Sequence, residues 1–218
     1  MKFMEPAINK IHHQLLKKFD THWIPDTAQH DFAGKLSHTL FRNSEYIGSL
    51  SRLKIMATPT TYDVIAIISG PEPQRTFFFE KVKKQLTQYA GKSLIVGGNI
   101  SQKTNEQETI NNCTIVQFMN AVELNTAIAS ASVVVGRSGY STIMDLVALQ
   151  KKAVLIPTPG QTEQIYLAQR FHDVGSAFYE KQDNMYLFSA IEKAKLLTGF
   201  DTTKSSPHLL ENAINKLV

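Results

Sequence analysis

Apolar and polar residues alternate along most of the chain in blocks that predict strands and helices in turn. From about residue 63, short apolar runs predict strands at 64–68, 93–96, 114–118, 133–135, 153–156 and 177–179. Segments with helical spacing lie between them, at about 75–89, 121–130, 140–150 and 162–174, and two further helices close the series. Strands this apolar, alternating with helices, are typical of a parallel sheet covered on both faces. The pattern therefore predicts an α/β fold with a doubly wound parallel sheet.

Local signals define the ends of two of these helices. Asn120 followed by Glu123 is a capping-box pattern, so a helix is expected to begin just after Asn120. Gly175 follows the helix predicted over 162–174, and a glycine suits the C′ position there.

The first 60 residues do not fit this alternation. A basic amphipathic helix is predicted over about 5–18, and the segment 21–26 looks like a strand that runs into a turn. Residues 27–60 are polar and predict irregular structure. Because one helix and one strand cannot bury a core alone, this section is expected to be the remnant of a domain whose beginning is missing. The predicted division is thus residues 1–60, remnant and linker, and residues 61–218, the main domain.

Composition and charge narrow the function classes only slightly. Hydrophobic residues make up 43% and charged residues 19%, as in ordinary soluble proteins, and the net charge is +4. Lysines and arginines are scattered, which argues against nucleic acid as a partner. The single cysteine, Cys113, excludes an internal disulfide framework and is expected to be a buried strand-edge thiol. No apolar run reaches membrane-spanning length and no signal-peptide core is visible, so a cytoplasmic location is expected.

The turn after the strand at 133–135 is the strongest candidate binding site. Gly136 and Gly139 turn the chain sharply into a helix, and this turn also contains Arg137 and Ser138. Unpaired amides at a helix start and the helix dipole both favour an anion, and a guanidinium suits phosphate oxygens. We therefore predict a diphosphate site here, at Arg137, Ser138 and Gly139. The alternative is a plain tight turn in which Ser138 caps the helix and Arg137 is solvated.

An acidic residue shares a helix face with this turn. Asp145 follows Ser138 at helical spacing, so both lie on the face that begins at the anion site. A carboxylate one to two turns below a phosphate site is placed to accept hydrogen bonds from a ribose diol. Asp145 is therefore the predicted ribose ligand.

Two further turns follow predicted strands, at the edge of the sheet where α/β proteins bind ligands. The loop that begins Ser69-Gly70 lets the backbone approach a ligand closely, and Arg75 at the next helix start is suited to an acidic group. A rigid proline turn is the alternative there. After the strand at 153–156, Gln161 and Gln164 offer amide groups suited to sugar hydroxyls, or else belong to an ordinary surface turn.

A fourth candidate is the connection between the strand at 114–118 and its helix. Phe118 and Met119 could meet a base edge while Leu124 packs on its face, although a core-facing aromatic is the commoner arrangement. The spacings between the histidines predict no metal site, and the sequence shows no arrangement typical of a Ser-His-Asp triad.

Together these residues resemble the C-terminal, donor-binding domain of glycosyltransferase family 28. The resemblance covers about residues 62–195 and is clearest from 118 to 168, where an acid follows Arg137 by eight positions and a glutamine follows that acid by nineteen. It implies a Rossmann-like sheet, the C-terminal half of the GT-B fold. It also implies that Arg137, Ser138 and the Ser69-Gly70 loop meet the donor diphosphate.

The same resemblance implies roles for the remaining candidates. Asp145 would hold the ribose, Gln164 the sugar hydroxyls, and Met119 with Leu124 would border the uracil. The chain departs from the family pattern at three places. Asp145 stands in place of a glutamate, Ile165 in place of a second glutamine, and prolines interrupt the loop after Gly70. The N-terminal domain that binds the acceptor and supplies a histidine base is represented only by its last helix and strand, in residues 1–50.

The function that the resemblance implies is hexosyl transfer from a UDP-sugar, with UDP-N-acetylglucosamine as the expected donor and without a metal or other cofactor. The acceptor is not identified, and a lipid-linked acceptor would place the protein at the inner face of the membrane in cell-envelope synthesis. One alternative is a donor-binding subunit, or a truncated product, that needs a partner chain for the missing domain. Another is a sugar-nucleotide epimerase or hydrolase of the GT-B fold. A Rossmann-type oxidoreductase is disfavoured because the first strand lacks the dinucleotide fingerprint.

Overall fold

The computed structural model describes residues 11, 14–39, 41–98, 107–201 and 208–216. They belong to two compact units, one made of residues 1–49 with 204–218 and the other of residues 50–203. The units therefore separate between residues 49 and 50, upstream of the boundary predicted at 60 and 61, and the C-terminal segment groups with the first unit. The predicted assignment of an acceptor-domain remnant and a donor-binding domain stays a prediction.

The smaller unit contains a parallel pair of strands, β1 (His22–Ile24) and β2 (Ser44–Tyr46). Asp26 lies fully buried after β1, and its carboxylate accepts the backbone N–H groups of Thr27, Phe32 and Ala33 at 2.7, 3.0 and 2.9 Å. These bonds satisfy the buried charge and organise the turn that the sequence predicted. The unit also includes a 3-10 helix at Gly34–Ser37 and a helix at His208–Asn215.

One expectation for this unit is wrong. The sequence predicted irregular structure over 27–60, but β2 and the 3-10 helix lie there; both are too short to show a period. Trp23 in β1 is 37% exposed. The helix predicted over about 5–18 lies largely outside the described residues.

The larger unit is built on a seven-stranded sheet with the order β5-β6-β4-β3-β7-β8-β9. All neighbouring strands are parallel except β5, which pairs with β6 antiparallel. This confirms the predicted α/β class with a Rossmann-like, mostly parallel sheet. The strands are β3 (Tyr62–Ile67), β4 (Ser93–Val96), β5 (Gln107–Ile110), β6 (Cys113–Val116), β7 (Ala131–Gly136), β8 (Lys152–Leu155) and β9 (Ala177–Tyr179).

Five α-helices of this unit connect or follow the strands: α1 (Gln74–Leu86), α2 (Ala121–Ala129), α3 (Tyr140–Ala148), α4 (Thr162–Asp173) and α5 (Leu187–Lys195). The predicted capping box is confirmed, because the Asn120 side chain accepts from the amides of Val122 and Glu123 while the Glu123 carboxylate accepts from the Asn120 amide. Gly175 follows α4 with a φ of +71°, as its predicted C′ role requires. Cys113 is a free and fully buried thiol at the start of β6, also as predicted, and burial raises its pKa.

The order of the strands creates a crevice at the centre of the sheet. The chain leaves β3 for β4 and then β6 on one side, and later returns to β7 on the other side of β3. The connections that follow β3 and β7 therefore lead away from each other, and α/β proteins bind ligands at such a topological switch point. Two of the predicted sites follow these two strands.

Candidate functional site

Two glycine turns face this crevice. β3 and β7 pair in parallel with Ile67 beside Gly136, so the turns that follow them begin at the same level of the sheet. Gly70 lies in the first turn with a φ of +113°, a conformation that favours glycine. Gly139 in the second turn is the N-cap of α3, and no side chain caps that helix. The amides at the start of α3 therefore have no side-chain cap among the described residues, which is what an anion site at a helix start requires.

The second turn contains Arg137, but its guanidinium forms hydrogen bonds within the protein interior. Arg137 is only 2% exposed. Its Nη1 donates to the carbonyls of Ile156 and Pro157 at 3.2 and 3.1 Å. Its Nη2 donates to the carbonyl of Gln74 at 3.0 Å and to the side-chain oxygen of Gln182 at 2.6 Å. Arg137 therefore joins the chain after β8, the start of α1 and the segment after β9.

These contacts differ from the arrangement expected from the sequence. We expected the guanidinium to face a ligand, but it packs over the ring of Phe78, with 4.1 Å from the guanidinium carbon to the ring centre. Burial lowers the pKa of Arg137 to about 10. Its Nε is buried without a hydrogen-bond partner among the described residues. The direct contact of Arg137 with a diphosphate stays a prediction, and in this arrangement both terminal nitrogens already have protein acceptors.

The other turn residues form a network that connects α3 to α4. Ser138 is fully buried and its hydroxyl donates to the carbonyl of Gln164 at 2.8 Å. The Gln164 carboxamide accepts the backbone N–H of Thr158 at 2.9 Å and donates to the side chain of Gln161. A Cβ at Gly139 would lie 3.9 Å from the Gln164 amide nitrogen. The structure thus brings the predicted phosphate-binding and sugar-binding residues together.

Asp145, the predicted ribose ligand, already accepts a hydrogen bond from a residue that precedes the sheet. Asp145 Oδ1 accepts a hydrogen bond from the Ser51 hydroxyl at 2.6 Å. Burial raises the pKa of the Asp145 carboxyl, and the Ser51 hydrogen bond and the charge of Arg52 oppose that rise. The ribose role of Asp145 stays a prediction, since a ribose would have to share or replace the Ser51 contact.

The predicted base site lies farther along the same edge of the sheet. Phe118 and Met119 follow β6 and Leu124 lies in α2, and all three are half-buried. Their side chains are thus partly available, but among the described residues no hydrogen bond or ring contact connects them to the turns at Gly70 and Gly139. Arg75, predicted to meet an acidic group, pairs with the Glu72 carboxylate of its own loop at 2.5 Å.

One residue of this network gave no signal in the sequence. Gln182 is 4% exposed and links Arg137 to the side chain of Gln74. It lies in a 3-10 helix at Gln182–Asn184, a polar segment that resembles any surface connection. Only the return of the chain to the edge strand β9 places it beside Arg137.

The part of the chain that the structure describes has neither a membrane-spanning helix nor a metal-binding cluster. No helix there is long and apolar enough to cross a membrane. No group of three or more histidine, cysteine, aspartate or glutamate side chains among those residues could hold a metal ion. The predicted location and the predicted independence of a cofactor stay predictions.

Comparison with known protein families gives one match. The sequence profile of the "Glycosyltransferase family 28 C-terminal domain" matches residues 65–207, which is more than half of the chain and includes both glycine turns. A comparison with curated proteins gives no significant match.

Solved structures share the fold at low sequence identity. MurG from Acinetobacter baumannii is 13% identical with a TM-score of 0.56, and the match covers 83% of this chain and 57% of that one. The glycotransferase of kitacinnamycin is 14% identical with a TM-score of 0.55, covering 91% and 50%. SnogD from Streptomyces nogalater is 11% identical with a TM-score of 0.54, covering 81% and 50%. The chain thus spans about half the length of these proteins, and the likeness shows the fold.

Proposed function

Because the chain belongs to the family of the glycosyltransferase family 28 C-terminal domain, we propose that it supplies the donor site for hexosyl transfer from a UDP-sugar. UDP-N-acetylglucosamine is the proposed donor. The observation that carries the proposal is the pair of glycine turns at the switch point, the second of which leads into the uncapped start of α3. This arrangement suits a diphosphate, because open amides and the helix dipole favour negative charge.

The order of the strands supports one orientation of the nucleotide. The proposed uracil site follows β6, the diphosphate site follows β3 and β7, and the sugar site follows β8. Three strand spacings separate β6 from β7, or roughly 14 Å. An extended UDP-sugar would therefore lie across the carboxyl edge of the sheet, with its sugar toward Gln161 and Gln164.

In this proposal mainly backbone groups stabilise the leaving group. The amides at the start of α3 and the turn at Gly70 would stabilise the charge that develops on the departing UDP, as preorganised dipoles do. Arg137 would act from the interior by holding the chain after β8 in place. No metal takes part in the proposed reaction. The base that deprotonates the acceptor hydroxyl would come from another domain or from a partner chain.

Calorimetric titration tests the donor site. We expect UDP and UDP-N-acetylglucosamine to bind and ADP to bind more weakly. Ser141 lies exposed in the first turn of α3, so Ser141→Glu places a carboxylate at the proposed phosphate position. A carboxylate there favours the helix but repels a diphosphate, so the fold is kept while UDP affinity falls about tenfold or more, at least 1.4 kcal/mol.

Gln88→Glu is the matched control. It makes the same change in charge at an exposed position just after α1, at the opposite edge of the sheet, and should leave UDP affinity unchanged. Equal affinities of Ser141→Glu and the parent for UDP would exclude the start of α3 from the site. Equal affinity for ADP would count against a uracil site at Met119.

Two alternative functions to hexosyl transfer by this chain can be distinguished with one assay. An epimerase or hydrolase of the same fold would alter or cleave UDP-N-acetylglucosamine in the absence of any acceptor. A donor-binding subunit would bind the donor but leave it intact until a partner chain supplies the acceptor side. Incubation of the chain with UDP-N-acetylglucosamine alone, followed by analysis of the products, distinguishes the two.

A further inference from the structure

Arg137 is a buried cation whose hydrogen-bond acceptors are all neutral. Its terminal nitrogens donate to three backbone carbonyls and to the carboxamide oxygen of Gln182. Its guanidinium also packs over the ring of Phe78, another neutral group. Among the described residues no salt bridge joins Arg137 to a carboxylate. Because a buried charge is costly unless an opposite charge compensates it, a guanidinium held in this way is suited to an anion that arrives from outside.

This uncompensated charge lies beside the proposed diphosphate site. Arg137 Nε lies 3.9 Å from the position that a Cβ of Gly70 would take. Burial alone lowers the pKa of Arg137, to about 10, so the guanidinium stays charged at neutral pH. Salt screens a buried charge much less than a charge on the surface. The guanidinium therefore favours an anion at the Gly70 turn through space, without a direct bond from either terminal nitrogen.

Gln182 is the one side chain among the acceptors of Arg137. It is 4% exposed, and its Oε1 accepts from Arg137 Nη2 at 2.6 Å while its Nε2 donates to the Gln74 side chain at 3.0 Å. A glutamate of almost the same size would also accept from the guanidinium, but it would neutralise the charge. The carboxamide thus fixes the guanidinium beside the start of α1 and leaves its positive charge available to a ligand.

We propose that Gln182 is a positioning residue of the donor site, which holds the Arg137 guanidinium with a neutral acceptor so that its charge acts on the donor diphosphate. The inference rests on the proposed function, because it takes the diphosphate site at Gly70 and Gly139 as its starting point. It adds to that site a residue from beyond the edge strand β9. It also gives a reason for an amide rather than a carboxylate at this position.

Gln182→Glu separates the hydrogen bond of Gln182 from its neutrality. The glutamate keeps an acceptor for Arg137, and the Gln74 carboxamide can turn to donate to it. The adjacent guanidinium favours the charged form of the glutamate. The variant should unfold at a urea concentration no lower than that of the parent. It should nevertheless bind UDP about tenfold or more weakly, because the new carboxylate cancels the charge that the diphosphate meets.

Titration of the full chain with UDP, UMP and uridine tests whether the loss follows the charge of the ligand. The loss of affinity in Gln182→Glu should be largest for UDP, smaller for UMP and absent for uridine. Gln182→Met has a similar shape but no strong acceptor, so it should unfold at a lower urea concentration than the parent. Asn184→Asp is the matched control for charge. It makes the same change in charge at an exposed position of the same 3-10 helix, where solvent screens it, and should leave UDP affinity within about twofold.

Three results would overturn the inference while the donor site stands. The first is equal UDP affinity of Gln182→Glu and the parent. The second is an equal loss of affinity for all three ligands, which indicates a distorted site rather than a cancelled charge. The third is a Gln182→Met variant as stable as the parent, since Gln182 would then not hold the guanidinium. Failure of the parent chain to bind UDP overturns both the inference and the proposed function.

Discussion

At the scale of single residues, Arg137 makes four side-chain hydrogen bonds in the protein interior. A buried guanidinium that donates to three backbone carbonyls and a side chain is expected to stabilise the fold more than any one surface charge. Arg137→Ala removes the donors and leaves those buried acceptors unsatisfied, at about 1–3 kcal/mol for each group that no water reaches. We expect the free energy of unfolding to fall by about 3 kcal/mol or more, as measured by denaturant titration.

The matched control is Arg75→Ala. Arg75 pairs with Glu72 on the surface, and exposed ion pairs contribute about 0–1 kcal/mol. If Arg137→Ala lost as little stability as Arg75→Ala but bound UDP much more weakly, the guanidinium would serve the ligand directly rather than support the chain.

Asp145 provides a prediction about pH. Burial raises the pKa of this carboxyl above its ordinary value of 3.8, so the folded protein holds the proton more tightly than the unfolded chain. A group with a raised pKa stabilises the fold below its unfolded pKa and loses that contribution as the pH rises through its folded pKa. Asp145→Asn should therefore match the parent in stability at acid pH and exceed it increasingly as the pH rises from about 4, if 3.8 is also the unfolded value.

Urea unfolding at several pH values measures this difference. Asp173→Asn, which makes the same chemical change at the exposed end of α4, is the control for the loss of one carboxylate. A difference between Asp145→Asn and the parent that stays constant with pH would mean that the carboxyl titrates alike in the folded and unfolded chain.

At the scale of elements, apolar runs predicted the buried strands well because burial on both faces leaves only apolar residues in them. β4 and β9 begin and end at the predicted residues, and the centre of the sheet differs by a few residues at its ends. β5 was missed, since it is an edge strand whose sequence, Gln107–Ile110, is mostly polar and exposed. A pattern of burial cannot reveal a strand that is not buried.

The same reasoning explains which parts of the candidate site were predictable. The turns at Gly70 and Gly139 follow apolar strands, so their place at the carboxyl edge of the sheet could be inferred from order along the chain. The direction of the Arg137 side chain could not. It depends on Gln74 and Gln182, which approach from α1 and from beyond β9, and no local pattern encodes those approaches.

At the scale of the whole sheet, the strand order makes the proposal testable without any mutation. The turns after β3 and β7 lie at the carboxyl edge, whereas the connection after α1 that leads into β4 lies at the opposite edge. A ligand at the switch point should protect the amides of Ser69, Gly70 and Glu72 and those at 137–142, and leave those at 87–92 unchanged. Some amides exchange only when the protein opens far enough to release the ligand. With UDP at about 100 times its Kd, hydrogen exchange of those amides should slow about 100-fold.

Hydrogen exchange with mass spectrometry measures this footprint, and ADP at the same concentration, which is expected to bind more weakly, should slow the exchange less. Exchange at the two edges reports different openings, because exposed turns exchange through local fluctuations and the central strands through larger ones. Protection confined to the carboxyl edge would locate the ligand at the crevice between β3 and β7. Equal slowing at 69–73 and at 87–92 would mean that UDP stabilises the unit as a whole from some other position, and the donor site proposed at Gly70 and Gly139 would then be wrong.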